Sequence, residues 1–498
     1  MTDMSQGVQK AMDPKFVVVG FDGLRADLVS ERNTPNLMRL ARRGVRFANQ
    51  RSVFPTETRV NMTSISTGAN AGRHGVVGNR YLDPNVDPRV PFNTFLRAMI
   101  DKGQSAYGGR LVEARSMGEV LHGAGKRMAV VASGSEGTSI MKNHNVAQFS
   151  NNLTVSCHYP AVSTPPEVGR QVVARFGAPP DIEHPDTKIV KYATDVFLDY
   201  VWPQYQPDVS IVWYDEPDTS LHYLGLGTEE TRRTIQYCDS QFGRILDWAE
   251  GRPEIQLIAM SDHGHVAMTW GASVPEFLRQ AGFNVGEHLE DDADIAILPG
   301  HTGKLHVRPE HRRTLLRDAA HAMMSQPWCG MMLSKAGIEI EGCLPQSLAF
   351  IEHPRSPEIY YTMRTDGGMG RDDLPGRTWY DTTGQGLGLG AGQHGGLQKE
   401  EINGFLIAAG SMFREGFLSE TYSGTPDIHP TILHGLGLAP ADTATGRPLM
   451  EAFAGASDEP VLAGMEEFTA TYGGYRQTLR RVKVGGSTYL DRGWAETL

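Results

Sequence analysis

Short apolar runs alternate with helical patterns through the first half of the chain, and this alternation predicts an α/β fold. The runs Phe16–Phe21, Val209–Tyr214 and Ile255–Met260 contain almost no polar side chains, as expected for strands buried on both faces of a sheet. From about Thr228 to Trp248 apolar residues recur every three or four positions, which predicts an amphipathic helix. Strands alternating with helices favour a doubly wound, mainly parallel sheet sandwiched by helices.

Capping residues mark further boundaries in the same region. Thr34-Pro35 has the residue types that open a helix, and Ser116-x-x-Glu119 is a capping-box pattern. The apolar run Met128–Ala132 follows the second of these signals and predicts another strand. Late in the chain, Asp427 is expected to cap a helix.

The chain from about residue 300 to residue 385 is rich in Pro, Gly, His and charged residues. Together with the helix-like stretch Arg312–Met324, this predicts an inserted smaller α+β cap over 276–385. The remaining predicted units are a first core part (14–275), a second core part (386–455) and a C-terminal extension (456–498). The extension is expected to contain a hairpin formed by Val482–Val484 and Ser487–Leu490. Its edge is open to pairing with a second copy, so a homo-oligomer remains an option.

Composition narrows the possible partners. The 498 residues include 47 Lys+Arg and 58 Asp+Glu, a formal net charge of −11, which argues against a nucleic-acid polymer as partner. No apolar run approaches the roughly 18 residues of a membrane-spanning helix. The polar segment Met1–Met12 lacks the apolar core of a secretory signal. A cytoplasmic enzyme is therefore expected, although a periplasmic location stays open.

Candidate chemistry gathers just beyond the predicted strands. Asp22, Asp218 and Asp262 each follow an apolar run, and ligands of parallel sheets collect at the carboxyl ends of strands. His222 follows Asp218 by four residues, so a helical turn would place both side chains on one face.

Two further histidines extend this candidate metal site. His263 directly follows Asp262, and the two side chains can converge once the strand has ended. His394 lies in the glycine-rich segment Gly390–Gly396, whose residues offer almost no side chains for packing, so we interpret it as a ligand. Carboxylate and imidazole together suit Zn²⁺, Mn²⁺ or Fe²⁺.

A possible nucleophile lies in the segment Phe54–Asn61. Thr56 and Thr58 both sit where a helix is predicted to begin, and a hydroxyl there is commonly only a cap. Beside a bound dication, however, the hydroxyl would lose its proton more readily, and the helix N-terminus would steady an anion. On residue type alone, both threonines remain candidates.

In these segments the sequence resembles the alkaline phosphatase superfamily, in its nucleotide pyrophosphatase/phosphodiesterase branch. Each matching motif is short, but together they occur in the order of that family and cover most of the predicted core. They are Asp22-Gly23-Leu24-Arg25, Thr34-Pro35-Asn36-Leu37, Pro55-Thr56-Glu57-Thr58, Thr67-Gly68, His74-Gly75-Val76, Gly78-Asn79, Asp218-x-x-x-His222, Ser261-Asp262-His263-Gly264 and His394-Gly395.

The resemblance implies a role for each site residue. One metal ion would be held by Asp218, His222 and His394, and a second by Asp22, Asp262, His263 and the nucleophile oxygen. The nucleophile falls on Thr58, and Asn79 would contact a non-bridging phosphate oxygen. Two divalent ions are implied, with zinc favoured over manganese or iron. His74 and His265 are interpreted as structural.

The implied activity is hydrolysis of phosphodiesters or nucleotide pyrophosphates through a phospho-threonine intermediate. A phosphomonoesterase or phosphonate hydrolase of the same superfamily is the alternative, and a non-catalytic binding protein on the same fold is the alternative of another class. Arg59 is a candidate phosphate-binding residue, as is Arg80. Val60 and Ala71 stand where the family usually has proline, which affects loop geometry rather than the proposed ligands. No sulfatase signature of Cys- or Ser-x-Pro-x-Arg is present.

Overall fold

A nine-stranded sheet forms the centre of the molecule. The computed structural model describes residues 13–289, 293–308, 311, 314–370, 373–384, 386–457 and 461–498. Eight strands of the sheet follow one another across it, and Ser423–Gly424 pairs beside the second of them. Their order is Phe417–Ser419, Gly44–Arg51, Asn403–Ala409, Ile255–Met260, Lys15–Asp22, Val209–Pro217, Met128–Ala132 and Asn152–Ser156.

The predicted doubly wound, mainly parallel sheet is confirmed. Lys15–Asp22 pairs in parallel with both Val209–Pro217 and Ile255–Met260. Its residues alternate between two hydrophobic cores: Phe16 and Val18 belong to one, and Val17 and Val19 to the other. Such double-sided burial explains why this strand is apolar at consecutive positions. Within the sheet, Asn403–Ala409 is antiparallel to both of its neighbours.

Helices cover both faces of the sheet. The predicted helix near 228–248 extends over Glu229–Ala249, with Thr228 as its N-cap. The predicted start of another helix at Arg312 lies outside the described residues, as does Met1–Met12. The described α-helices are Pro35–Arg42, Thr58–Thr67, Ala71–His74, Arg97–Ala106, Met117–Gly123, Glu136–Met141, Pro166–Phe176, Thr187–Val196, Trp202–Tyr205, Asp218–Leu224, Glu229–Ala249, Val274–Gln280, Thr314–Met324, Lys399–Ile402 and Ile428–Gly435. Among the residues described, no helix is both long and apolar enough to cross a bilayer.

The region predicted as a cap contains a second sheet with its own hydrophobic core. The strands of this mixed sheet are, in order, Val285–Gly286, Ile295–Leu298, Thr302–Val307, Ile359–Met363, Cys329–Ser334 and Leu344–Pro345. A four-stranded sheet joins the cap to the core, since Val266–Ala272 pairs with Pro375–Asp381 and with Gly392–Gln393. This sheet therefore takes strands from both sides of the boundaries predicted near 275 and 385.

The C-terminal extension forms a three-stranded antiparallel sheet rather than a hairpin alone. The predicted hairpin is present as Tyr475–Val484 and Ser487–Thr497. A preceding strand, Ala463–Tyr472, pairs with the first of these. Leu479 and Leu490 pack into the main core, so this extension is anchored to the body of the molecule.

Capping geometry agrees with the sequence patterns at some helices and differs at others. Ser116 caps its helix by accepting a hydrogen bond from the Glu119 backbone N–H, as predicted. Thr34 and Asp427 occupy N-cap positions, but their side chains form no capping hydrogen bond. The Asp427 carboxylate instead accepts from the Gly424 backbone and the Tyr489 hydroxyl, both at 2.8 Å.

Candidate two-metal active site

The ends of three adjacent parallel strands bring the candidate carboxylates together. Asp22 is the last residue of its strand, Asp218 begins the helix that follows Val209–Pro217, and Asp262 lies two residues beyond Met260. Parallel strands place their carboxyl ends at the same edge of a sheet. Residues far apart in the sequence can therefore contribute to one site.

The first cluster surrounds the Asp218 carboxylate. His394 Nε2 lies 3.5 Å from Asp218 Oδ1, and His222 Nε2 lies 3.5 Å from Asp218 Oδ2. His222 and Asp218 share the predicted helical turn, Asp218–Leu224. His265 Nε2 also reaches Asp218 Oδ1, at 3.1 Å. One ligand atom from each of these four residues lies within 4.8 Å of the others.

The second cluster contains Asp22, Asp262 and His263. His263 Nε2 lies 3.3 Å from Asp262 Oδ2 and 3.6 Å from Asp22 Oδ1. The Thr58 hydroxyl oxygen lies 3.2 Å from His263 Nε2 and 3.4 Å from Asp22 Oδ1. The His263 and His394 rings stack with centroids 3.8 Å apart, so the two clusters adjoin. The structure thus brings together all seven side chains that the sequence nominates as ligands.

Backbone carbonyl groups orient the imidazole rings of both clusters. A carbonyl oxygen can only accept, so the ring nitrogen facing it carries the proton. The pairs are His222 Nδ1 with Gly392 O at 2.8 Å, His394 Nδ1 with Thr56 O at 2.6 Å and His263 Nδ1 with Gly264 O at 3.2 Å. In each ring the unprotonated Nε2 then faces the carboxylates, as in metal-bound histidines whose other nitrogen donates to an outer group.

The electrostatics of this region favour bound cations. Burial, with the neighbouring charges of Asp262 and Asp218, raises the pKa of the Asp22 carboxyl well above its ordinary value. Burial likewise raises the pKa of Asp262 and lowers that of His394. Asp218 Oδ1 and Asp262 Oδ2 are buried without a hydrogen-bond partner. Buried carboxylates of this kind require a compensating charge, which a metal ion supplies.

The groups around Asn79 connect the helix carrying Thr58 to the cap. Asn79 Oδ1 accepts from the Arg59 backbone N–H at 3.1 Å, and the Asn79 backbone N–H donates to the Glu57 carboxylate. Lys304, from the cap strand Thr302–Val307, lies 3.4 Å from the other Glu57 oxygen. Glu57 and Lys304 carry no signal of this role in the sequence, because their pairing depends on how the cap sits on the core.

A cleft of about 630 Å³ opens onto the first cluster and the Thr58 side chain. Both core and cap line it, so the cap takes part in shaping the space next to the candidate nucleophile. The core contributes Thr58, Arg59, Asn79, Arg80, Phe95, Asp218, His222, Tyr223 and His394, and the cap segment contributes Arg279, Glu287, Leu298, His301, Thr302 and Lys304.

Two histidines outside the site, His74 and His158, carry their proton on Nε2 rather than on Nδ1. His74, interpreted from the sequence as structural, accepts a hydrogen bond at Nδ1 from the Val76 backbone and contacts Ser64 through Nε2. His158, with Asp186 and Asp215, forms a third cluster of possible ligands. Its Nδ1 accepts from the Gly134 backbone, so the proton resides on Nε2, 2.8 Å from Asp186. Both rings are satisfied within the protein.

His265, interpreted from the sequence as structural, lies in the first cluster against Asp218. Its position two residues after His263 was the available signal, because alternate residues of an extended segment point to the same side.

Comparison with known proteins places these features in a family. The model of the family "Type I phosphodiesterase / nucleotide pyrophosphatase" matches residues 16–367. Bis(5'-adenosyl)-triphosphatase enpp4 of Xenopus laevis is 40% identical over 70 residues, which is 14% of this chain and 16% of that protein. Venom phosphodiesterase of Naja atra is 23% identical over 265 residues, covering 51% of this chain and 26% of that protein. The matched segments thus span about a quarter or less of these relatives' own length.

Solved structures agree with the fold. The structure of murine ectonucleotide pyrophosphatase/phosphodiesterase 5, an inactive variant in complex with AMP, superposes with a TM-score of 0.61 at 18% identity. The superposition covers 89% of this chain and all of the murine one. The human counterpart gives a TM-score of 0.59 at 17% identity, over 85% of this chain and 95% of its own. With a family match over more than half of its length, the chain belongs to the metal-dependent type I phosphodiesterase/nucleotide pyrophosphatase family.

Proposed function

We propose that the protein hydrolyses phosphodiesters or nucleotide pyrophosphates at a two-metal site, with Thr58 as the nucleophile. The observation that carries this proposal is the position of the Thr58 hydroxyl, within 3.4 Å of both Asp22 and His263 at the junction of two ligand clusters. A hydroxyl that only capped its helix would need neither neighbour.

The residues present suit two divalent ions, with zinc favoured. Asp218, His222 and His394 would hold one ion, and Asp22, Asp262, His263 and Thr58 the other. Their unprotonated Nε2 atoms and unpartnered carboxylate oxygens are the donors such ions require. When bound, two dications lower the pKa of the nucleophile and stabilise the entering and leaving oxygens of an in-line displacement. Two dications, three carboxylates and a Thr58 alkoxide sum to a charge of about zero, which admits an anionic phosphate.

We propose that Thr58 acts as a covalent catalyst. Its backbone begins the helix Thr58–Thr67, whose free N–H groups and dipole favour an anionic group at this end. Thr58 Oγ1 forms a bond to phosphorus as the bond to the leaving oxygen breaks, and that oxygen departs with the electron pair. Water then cleaves the phospho-threonine, so the hydroxyl is regenerated and the phosphate product leaves.

Asn79 and Arg59 are proposed to bind the transferred phosphoryl group. Asn79 is fixed through its side-chain oxygen by the Arg59 backbone N–H, and that contact orients the amide group. The amide nitrogen is then available to donate to a non-bridging oxygen, where charge develops in the transition state. The Arg59 side chain is held by Thr94 at 2.9 Å and lines the cleft.

The shape of the cleft supports a substrate with a substituent beyond the phosphate. Two partly exposed aromatic rings, Phe95 and Tyr223, line it together with Arg80 and Arg279. Flat apolar faces suit a nucleobase, and the arginines suit a second phosphate. A diester needs this room, whereas a monoester would fill only the part next to Thr58.

The proposal is tested with nitrophenyl esters on one metal-replete preparation. We expect turnover of a nitrophenyl phosphodiester to exceed that of the monoester and of the phosphonate. Thr58→Ala should lower kcat by at least about a thousandfold while two metal ions stay bound. Mass spectrometry of acid-quenched wild type should detect phosphate on Thr58.

Thr63→Ala is the matched control, because Thr63 lies on the same helix and its hydroxyl donates only to the Arg59 carbonyl. It should retain metal content and activity. Hydrolysis that survives both Thr58→Ala and chelation would refute the proposed mechanism, and absence of hydrolysis of all three esters would favour the non-catalytic alternative.

A further inference from the structure

His265 lies in the first metal cluster without an assigned function. It is fully buried, and its Nε2 lies 3.1 Å from Asp218 Oδ1. Its ring centroid is 5.0 Å from those of both His222 and His394. His265 therefore completes a ring of three imidazoles around one carboxylate.

The protonation of His265 is set by a backbone carbonyl, as in the other rings of the site. His265 Nδ1 lies 3.1 Å from the Gly23 carbonyl oxygen, so Nδ1 carries the proton and Nε2 carries a lone pair. Gly23 also permits the close approach. A Cβ there would lie 2.5 Å from His265 Cε1 and 2.8 Å from Asp218 Oδ1.

Two atoms at this point are buried and form no hydrogen bond. They are His265 Nε2 and Asp218 Oδ1, and with Nδ1 protonated both are acceptors facing each other at 3.1 Å. Two acceptors so close repel unless a cation lies between or beside them. We propose that His265 is a fourth protein ligand of the first metal ion, together with Asp218, His222 and His394.

Three histidines outside the site share one pattern of backbone contact, and His265 departs from it. His74, His158 and His353 each accept a backbone N–H at Nδ1, which places the proton on Nε2. Of these, His74 and His158 then contact a polar side chain of the protein through Nε2. His265 has the opposite tautomer, which it shares with His222, His263 and His394. Its Nε2 is buried and has no hydrogen-bond partner.

A fourth ligand changes what the first ion can do. Three imidazoles and one carboxylate fill the four positions of a tetrahedral ion, which is the pattern of closed structural zinc sites. Phosphate can reach this ion only if it takes at least five ligands. The first site is therefore expected to bind its ion more tightly than a three-ligand site would.

This inference rests on the two-metal site of the proposed function, and it is tested on the wild-type protein by a count of metal-bound imidazoles. Protein labelled with nitrogen-15 in its histidine rings is titrated with Zn²⁺ to saturation. We expect four Nε2 resonances to move to metal-bound positions, those of His222, His263, His265 and His394. Three shifted resonances, with that of His265 unmoved, would overturn the proposal.

A variant pair measures the energetic contribution. His265→Met keeps the volume of the side chain but supplies a much weaker ligand, and His434→Met at an exposed position is the matched control. In competition with a chromophoric chelator, His265→Met should weaken one of the two zinc equivalents by at least about tenfold. His434→Met should leave the affinity of both zinc equivalents unchanged. Equal affinity of His265→Met and wild type for both equivalents would contradict ligation.

Failure of this inference is distinguishable from failure of the proposed function. If His265 stays unmoved while nitrophenyl diester hydrolysis depends on Thr58, the three-ligand site is correct and His265 only packs against it. If His265→Met does not fold, the resonance count on the wild type still decides.

Discussion

At the scale of single residues, the two threonines that compete for the nucleophile role have different neighbours. Thr58 faces Asp22 and His263. The Thr56 hydroxyl instead donates to the Gly396 carbonyl at 2.9 Å and accepts from the Gly395 backbone N–H at 2.9 Å. The Thr56 carbonyl also accepts from His394 Nδ1. Thr56 is therefore suited to hold the loop that carries His394.

Thr56→Val should affect metal binding rather than the chemical step. The substitution conserves shape, but it leaves the Gly395 N–H and the Gly396 carbonyl without partners in a buried site, at a cost of about 1–3 kcal/mol each. The loop can escape this cost only by shifting, which moves His394 away from Asp218. We expect zinc affinity at the first site to fall about 10–100-fold, as measured by chelator competition.

At saturating zinc, Thr56→Val should recover much of the wild-type kcat, because Thr58 and the second cluster are untouched. Thr58→Ala should behave in the opposite way, with full metal content and no turnover. A Thr56 variant that binds zinc normally but fails to turn over would assign the nucleophile to Thr56 instead.

The ligand residues could be nominated from the sequence because each follows a strand or lies in a motif. Asp22, Asp218 and Asp262 follow apolar runs whose parallel pairing brings their ends together. For His265 the only signal in the sequence is its spacing of two residues from His263. Its tautomer depends on the Gly23 carbonyl, 242 residues away in the sequence, and sequence patterns carry no information on that contact.

At the scale of secondary-structure elements, a buried ion pair joins cap and core. Lys304, on the cap strand Thr302–Val307, lies 3.4 Å from Glu57, which precedes the helix Thr58–Thr67. The two side chains are only 5% and 12% exposed. Because Glu57 also accepts a hydrogen bond from the Asn79 backbone N–H, this pair links the cap to the proposed phosphate-binding groups.

Glu57→Gln should destabilise the protein more than the double variant Glu57→Gln/Lys304→Met. Removing the carboxylate charge alone leaves a buried ammonium without its counter-ion, which typically costs about 3 kcal/mol or more. Replacing both partners removes that penalty. The free energies of unfolding of the two single variants and the double variant, from urea denaturation, give the coupling directly. If the loss of stability in the double variant equals the sum of the losses in the two single variants, the Glu57–Lys304 pair contributes no coupling energy.

Strands and helices can be predicted from the sequence where burial imposes a pattern of apolar residues. They are harder to predict where contacts with residues distant in the sequence determine the structure. The central strands can be recognised in the sequence because both faces of the sheet are covered, as the apolar run Phe16–Phe21 shows. The sequence predicts that the Asp427 side chain caps a helix, but its carboxylate accepts hydrogen bonds from the Arg447 backbone and the Tyr489 hydroxyl instead. The antiparallel strand Asn403–Ala409 likewise has no signature that separates it from its parallel neighbours.

At the scale of the whole molecule, buried neutral histidines should make stability depend on pH. Burial lowers the pKa of His144 and of His429 to about 4 from an ordinary value of 6.5. These two histidines therefore bind protons below about pH 6.5 in the unfolded chain, but only below about pH 4 in the folded chain. The free energy of unfolding should be unaffected by these groups above pH 6.5. Between pH 6.5 and 4 the free energy of unfolding should fall by about 1.4 kcal/mol per pH unit for each of the two histidines.

His429→Gln isolates one of these contributions. His429 Nδ1 donates to the Ser66 carbonyl at 2.9 Å, and Nε2 accepts from the Ala441 N–H at 3.2 Å, so protonation of Nε2 would break the second bond. Urea unfolding of metal-free protein at several pH values should show a shallower acid dependence for the variant, by about one proton. Parallel curves for variant and wild type would mean that His429 titrates normally in the folded state.

Metal binding should stabilise the whole fold, because the proposed ligands come from chain segments on both sides of the predicted cap. Asp22, Asp218 and Asp262 precede the insertion and His394 follows it, so a bound ion ties together segments distant in sequence. At a free metal concentration of about 100 times Kd, each ion should raise the free energy of unfolding by about 2.7 kcal/mol.

Asp262→Asn sharpens the test, because burial raises the pKa of the Asp262 carboxyl and the amide can still accept from the Gly23 N–H. Without metal, above neutral pH, the variant should be more stable than wild type, and with metal it should be less stable. An equal gain in thermal midpoint for both proteins on adding zinc would show that Asp262 holds no ion.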